Sequence, residues 1–321
     1  MLLSSPERSA FPYLRAALGF FLFGFLMTSA REHWLASLLN ASSDSFVSWF
    51  EFLASRLLFG VSFFAGDTLH RLTEIEFYYH APDHPDPFTH CHPRQLSLGQ
   101  WYFHRTANSY RGGSFKGVDL TFGGSTAFGG VLIRGLQTQD GQLIDGPSLC
   151  VDQLLACCSQ RTVSALDDAI AGRYVWDMSS PVRLVWHDQP ANGTLYRSAR
   201  VGLSLKQHTA AFDGLRFLLR PYRFLSEPRR IRKGRTQLLL ALLAQGLPLS
   251  FIRERTGCNL AVLRRYLADY HQGANEVGFD AYVWSELGPR QLARLLGQWH
   301  RTFADNDSEN RLANQGDDPL R

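Results

Sequence analysis

From Arg71 to Leu225 the apolar residues come in short runs, each closed by glycine, proline or a polar cluster: RLTEIEFYY, GQWYFHR, GVDLTFGG, GGVLIRGLQ, VRLVWHD, YRSARVGLSLK and LRFLLRPYRFL. Their β-branched and aromatic content is that of strands. The glycines of YRGGSFKG and FGGSTAFGG mark tight turns, which join antiparallel neighbours. After the first strand, HAPDHPDPFTHCHP carries four prolines and is a loop, because proline can sit inside neither a helix nor a central strand. PSLCVDQLL reads as a helix start with Ser148 as N-cap.

Helical patterns flank this strand-rich stretch. Phe46 to Phe64 has apolar residues at helical spacing and reads as one buried helix with a break at Gly60. Beyond Arg229, Thr236–Gln245, Leu249–Arg255 and Leu260–Tyr270 are helical segments separated by GLP and TGCN, the cadence of a helix-turn-helix. Its turn is Thr256 to Asn259, and its second helix carries Arg264 and Arg265. Such a hairpin is either structural or a DNA-docking element. The tail Asp305–Arg321 is polar and apolar-poor, a composition that cannot build a core and reads as disordered.

With 321 residues, 45% hydrophobic and 19% charged, the chain is of globular type and can bury one sizeable core plus a small module. Its net charge of +4 permits a polyanionic partner without demanding one. Lysine and arginine, however, crowd between Arg197 and Arg265. Arg220 and Arg223 lead into PRRIRKGR, where Arg229, Arg230, Arg232, Lys233 and Arg235 form either a solvated linker or a phosphate-contacting segment. Cys91, Cys150, Cys157, Cys158 and Cys258 are odd in number and show no paired spacing, which points to reduced thiols in a cytosol-like compartment. Residues 1–42 hold an apolar run at 16–30 behind Arg8 and Arg15. This run reads as a packed helix, a signal or membrane anchor, or a start called upstream of the true one.

Glu74 and Glu76 lie two apart on the first strand, so their side chains share a face, and Tyr78 continues it. A solvated strand face accounts for two glutamates cheaply. The strand runs, however, into a loop bearing His84, His90 and His92. A carboxylate beside flat rings suits removal of a base: one group activates water for attack at the sugar C1′ while stacked rings hold the extruded base. Aromatic stacking contributes about 1–3 kcal/mol per base.

TEIEFYYHAPDHPDPFTH resembles the Glu-x-Glu-x-Tyr strand and Pro/Asp-rich loop of the alkyladenine (3-methyladenine) DNA glycosylase family. In the same order, GQWYFHR is similar to that family's Gly-x-x-Tyr-x-Tyr strand, GVDLTFG to its Asn-containing strand and VLIRGLQ to its Val-Leu-Leu-Arg-Ala strand. GPSLCVDQLL, SARVGLSLK and LRFLLRPYRFLSEP continue the likeness, which covers about Glu74 to Glu227. It implies a mixed α/β (α+β) fold at 43–227, with a curved, mainly antiparallel sheet flanked by helices. A small helical C-terminal extension at 228–303 and the tail at 304–321 follow it.

The resemblance also implies a monofunctional DNA N-glycosylase acting on damaged purines in double-stranded DNA, in the cytoplasm and nucleoid or a nucleus. It uses no metal or other cofactor, and no protein partner is implied. Glu76 takes the place of the general base, and Arg134 that of the arginine that positions the water. Tyr78 and His90 match the rings that sandwich the base. His104 stands where the family has a second stacking tyrosine, and Asp119 where it has the asparagine that discriminates against guanine's amine. Extra residues near SYRGGSFKG displace the gap-filling tyrosine, for which Tyr110 is the candidate. No lysine of these segments is placed as a Schiff-base nucleophile.

His80, His84, His90, Cys91, His92 and His104 put six potential metal ligands within 25 positions, but their spacing matches no zinc signature. Stacking or phosphate contact is the reading preferred for these histidines. Two other functions stay open: a catalytically inactive nucleic-acid-binding module of the same fold, and a hydrolase acting on RNA or another N-glycoside, held at a membrane through residues 16–30.

Overall fold

The computed structural model describes residues 46–205, 211–282 and 286–304. The apolar run at 16–30 and the tail at 305–321 lie outside them. Helix α1 (Phe46–Phe59) is followed by strands β1 (Val61–Ala65), β2 (Thr68–Ala81), β3 (Leu98–Phe103), β4 (Val118–Phe122), β5 (Phe128–Thr138) and β6 (Leu143–Asp145). Helices α2 (Pro147–Cys157) and α3 (Val163–Ile170) lead to β7 (Val182–Trp186) and β8 (Tyr196–Ser198), then α4 (Ala211–Leu218) and β9 (Arg223–Leu225). Helices α5 (Arg235–Ala244), α6 (Leu249–Thr256), α7 (Leu260–Ala274) and α8 (Pro289–Trp299) follow.

The fold is mixed α/β: a curled antiparallel sheet flanked by helices, with a C-terminal helical part. The sheet runs β7-β1-β2-β5-β4-β3, with β9 and then β8 added on β2 and β6 added on β5. Period-two alternation divides it. Ile75, Phe77 and Tyr79 of β2, Val131 and Ile133 of β5, and Val118, Leu120 and Phe122 of β4 are buried in one core. Helix α1 covers that face with Phe50, Leu53, Ala54, Leu57 and Leu58 at helical spacing. Phe50 stacks on Phe77 at a ring separation of 4.6 Å, an arrangement worth about 0.5–1.5 kcal/mol beyond its area burial.

The structure departs from the sequence reading in three places. The helix expected over Phe46 to Phe64 stops at Phe59. Beyond Gly60, VSFFA pairs with β7 and β2 as a strand, because backbone pairing on both sides outweighs a weak helical period. LRFLLRPYRFL, expected to be β-rich throughout, belongs to α4 as far as Leu218, and only Arg223–Leu225 is strand. Helix α2 is capped by Gly146 and not by Ser148, whose hydroxyl donates to the Gly113 carbonyl at 2.8 Å.

A second core joins the C-terminal helices to the end of the body. Leu238, Leu242, Ile252, Leu263, Leu295 and Trp299 pack with Tyr196, Leu218 and Leu225. The predicted helix-turn-helix is present as α6 and α7, with Asn259 capping α7 through the Ala261 N–H. Helix α8 has no counterpart among the segments expected from sequence; it packs along α7, and Gly273 and Gly297 allow the backbones to approach closely.

His84 is fixed inside the first core, its Nδ1 on the Tyr79 carbonyl and its Nε2 on the Tyr222 hydroxyl, both at 2.8 Å. Burial pushes its imidazole down to about 4, and those of His90 and His300 likewise. All three are neutral in the fold, whereas in the unfolded chain they take a proton below about pH 6.5. The unfolded state therefore binds more protons between those values, and stability falls as pH drops through that window. Urea unfolding at about pH 7.5 and about pH 5 is expected to register a loss on the order of a few kcal/mol at the lower pH. Replacing His84 by Gln is expected to flatten that dependence.

Candidate active site

The polar layer of the sheet is organised by a break in register. Between Leu72↔Leu136 and Ile75↔Ile133, Thr73 on β2 and Arg134 on β5 are left without partners of their own. Such an irregularity re-aims side chains, and here it turns Arg134 onto the glutamates. Arg134 Nε lies 2.7 Å from Glu74 Oε1 and 3.3 Å from Glu76 Oε1. A side chain at Gly135 would collide with the Thr73 hydroxyl at 2.5 Å, so a glycine next to the irregularity is required.

Glu74 Oε1 also accepts from Arg223 Nε at 2.8 Å. Burial pushes the Glu74 carboxyl up, but Arg223 and Arg134 outweigh burial and hold it below its usual range. Arg223 is itself fully buried and donates onward to the carbonyls of Gly234 at 2.8 Å and Lys233 at 3.1 Å.

Glu76 stands on the next layer with no solvent exposure. Its Oε1 accepts the Val201 N–H at 2.7 Å, and its Oε2 accepts the Tyr78 hydroxyl at 2.9 Å. Burial and the neighbouring Glu76 charge raise the Tyr78 hydroxyl far above its ordinary range, so it remains a donor. Strand pairing aligns Glu76 with Leu132, Leu132 with Asp119 and Asp119 with Tyr102. Directly paired residues share a face, and Leu132 and Asp119 of this row line a cavity of about 390 Å3.

Tyr78, Phe88, His90 and His104 supply rings to the cavity wall, and Asp119 and Arg134 supply charge. The proline-rich loop is anchored by a fully buried pair, Arg200 Nη1 to Asp86 Oδ2 at 2.6 Å, and this anchoring brings Phe88 and His90 to the cavity. The Arg200 guanidinium lies 4.6 Å from the Tyr78 ring centre. His104 Nε2 and Asp119 Oδ1 are 2.7 Å apart, and Gln95 donates to Asp119 Oδ2 at 3.1 Å. Gly130 and Gly117 make room, because a Cβ would lie 2.6 Å from Asp119 Oδ2 at the first and 2.5 Å from His104 Nδ1 at the second. The His90 and His104 rings meet nearly edge to face at 4.4 Å.

The fold therefore brings Tyr78, His90, His104, Asp119 and Arg134 to one cavity, with Glu76 directly behind Tyr78, Arg134 and Val201. Tyr110 does not line the cavity. Its hydroxyl donates to Asp167 at 2.6 Å, and Arg105 covers its ring at 3.9 Å. The exposed aromatic residue at the cavity edge is Phe115, 76% accessible, which sequence reading missed although it stands in GGSFKG. Arg220 is buried beside the Phe217 ring and is not part of a surface. Arg229, Arg230, Arg232, Lys233, Arg264 and Arg265 are exposed, whereas Arg235 is half-buried and donates to the Thr256 carbonyl.

The remaining histidines of the cluster have separate duties. His80 bonds the Asp86 carbonyl, and His92 accepts from the Arg94 N–H. Among the described residues, no three His, Cys, Asp or Glu side chains are arranged to hold a metal ion. Among the same residues, no helix is long and apolar enough to cross a membrane.

Removing the Glu74 charge strands Arg223 in the interior. Glu74→Gln is expected to cost about 3–5 kcal/mol, as breaking a buried ion pair does. Glu227→Gln, which breaks the partly exposed Arg71–Glu227 pair, is expected to cost less than about 1 kcal/mol. Denaturant unfolding of the two variants measures both losses.

No family model and no solved structure matches the chain. It is 32% identical over 213 residues to "Uncharacterized protein L759" of Acanthamoeba polyphaga mimivirus, an alignment covering 61% of this chain and 94% of the viral protein. Identity at that level over nearly the whole of the viral protein places the chain in the same family as L759 of Acanthamoeba polyphaga mimivirus.

Proposed function

We propose that the chain is an N-glycosylase that hydrolyses the glycosidic bond of a damaged purine extruded from duplex DNA. The observation that carries this reading is a buried carboxylate, Glu76, behind a cavity of about 390 Å3 walled by Tyr78, His90 and His104. That volume is in the range of small-ligand pockets, and flat rings around it suit a flat ligand.

In this mechanism the base leaves from an oxocarbenium-like sugar. A water attacks C1′ and gives its proton to Glu76, while the electron pair of the broken bond departs with the base. The Glu76 charge also stabilises the developing cation. Arg134 touches Glu76 only at 3.3–3.4 Å, its longest contacts, and water entering there would reach the carboxylate without breaking the shorter bonds to Val201 and Tyr78. In this reading Phe115, exposed at the cavity edge, takes the role of Tyr110 and enters the duplex where the base has left.

Asp119 distinguishes this pocket from the one the resemblance implies. A carboxylate offers acceptors only, so it favours a base that carries an exocyclic amine. Single-turnover incubation of 7-methylguanine-containing duplexes, which carry the 2-amine, and hypoxanthine-containing duplexes, which lack it, tests this preference. Wild type is expected to favour the amine-bearing lesion, and Asp119→Asn to lower that preference about tenfold or more, the effect of a good hydrogen-bond mismatch.

Glu76→Gln preserves shape and removes the base. It is expected to slow abasic-site formation by about 10²–10⁴-fold, the usual contribution of general acid–base catalysis. Duplex binding without abasic sites from either protein, over hypoxanthine, 1,N6-ethenoadenine and 3-methyladenine, overturns the enzyme reading. The complete enclosure of Glu76 favours the second reading in that event, a base-binding module without catalysis.

A further inference from the structure

Outside the cavity, the largest chemical asymmetry lies between residues 228 and 265. This stretch holds nine lysines and arginines against a single acid, Glu254, in a chain whose whole net charge is +4. The fold arranges these cations in a defined place. The Arg232 and Lys233 N–H groups donate to Asp145 Oδ2 at 2.6 and 3.3 Å, and Arg223 donates to the Lys233 and Gly234 carbonyls. The backbone of the segment is thus clamped to β6 and β9, while the side chains of Arg229, Arg230, Arg232 and Lys233 are exposed.

Both ends of the clamped segment meet something functional. At one end, a Cβ on Gly146 would lie 3.0 Å from Lys233 Nζ, and Pro147 beside it lines the cavity. Gly234 packs on Val201, whose N–H holds Glu76. At the other end, Arg229 Nε comes within 3.6 Å of a Cβ on Gly257, in the turn between α6 and α7, and Arg235 donates to the Thr256 carbonyl. Beyond the turn, Arg253 and Arg255 of α6 and Arg264 and Arg265 of α7 are exposed. Positive charge therefore runs from the cavity rim to the α6–α7 hairpin, with Glu254 the single acid of residues 228–265 and Asp145 engaged by the backbone N–H groups of Arg232 and Lys233.

We infer that this track is a second nucleic-acid site, which holds the phosphate backbone of undamaged duplex DNA flanking the cavity. A clamped backbone with outward cations loses little conformational freedom on binding, and release of counterions from the duplex supplies the affinity. Phosphate contacts of this kind set position without reading sequence. The α6–α7 hairpin anchors the far end of the duplex, and Lys233 delivers the near end to the cavity. The site does not depend on catalysis at Glu76.

Fluorescence anisotropy of a labelled, undamaged duplex with the full chain tests this, repeated across a range of salt. Wild type is expected to bind with log K falling linearly with log salt, with a slope of about −0.9 per phosphate contacted. The triple variant Arg229→Ala, Arg232→Ala, Lys233→Ala is expected to reduce the slope by about 3, and Arg264→Ala with Arg265→Ala by about 2. The loss is the same for unrelated duplex sequences. These residues are exposed, so thermal melting should be unchanged. An unchanged slope in both variants overturns the inference. So does tighter binding to duplex RNA, or capture by anionic phospholipid vesicles with no duplex binding. Salt-dependent duplex binding lost in the variants, without abasic sites from wild type, retains this site and overturns the glycosylase reading alone.

Discussion

Glu74 is the hinge of the polar interior. One of its oxygens holds two arginines, Arg134 at 2.7 Å and Arg223 at 2.8 Å, all three side chains being buried. A lone buried charge costs several kcal/mol, and the two arginines are tolerated because Glu74 and Glu76 together match them. That requirement fixes the rest. Arg134 reaches Glu74 because the β2–β5 register breaks at Thr73 and Arg134, and the same break sets Glu76 in line with Leu132 and Asp119. Arg223 reaches outward to the Lys233 and Gly234 carbonyls, so the carboxylate that orders the cavity also seats the basic segment.

A second buried pair plays the same part for the loop. Asp86 and Arg200 are both inaccessible, and Arg200 lies close to the Tyr78 ring. Proline alone makes HAPDHPDPFTHCHP irregular but does not say where it goes. The ion pair does, and with it Phe88 and His90 arrive at the cavity. Helix α1 and the stacked Phe50 and Phe77 fill the opposite face of the sheet, so one face is apolar core and the other a polar floor. The C-terminal helices are continuous with this body, since Trp299 donates to the Leu215 carbonyl at 2.8 Å and their core includes Tyr196 and Leu225.

Much of this was legible in the sequence, for physical reasons. β-branched and aromatic content located β2 to β5, and turn chemistry made their neighbours antiparallel. The spacing of Glu74, Glu76 and Tyr78 put them on one face, where Tyr78 does bond Glu76. Contacts between distant residues were not legible. Nothing local to Tyr110 announces Asp167, and nothing local to Arg220 announces its burial. The Val201 N–H on Glu76 is a backbone contact across 125 residues, which no side-chain pattern encodes. Val61–Ala65 was misread because a short apolar run fits a helix or a strand, and only the pairing with β7 and β2 decides between them.

The central claim is that the cavity before Glu76 receives a base taken out of the helix. Its most direct test is the emission of 1,N6-ethenoadenine, placed once in a duplex and titrated with Glu76→Gln so that the base is retained. The account predicts a saturable change in emission as the base leaves the stack for the Tyr78 wall, absent in a Tyr78→Ala, Glu76→Gln double variant that still binds the duplex. Full occupancy of the duplex by Glu76→Gln with no change in emission would contradict it.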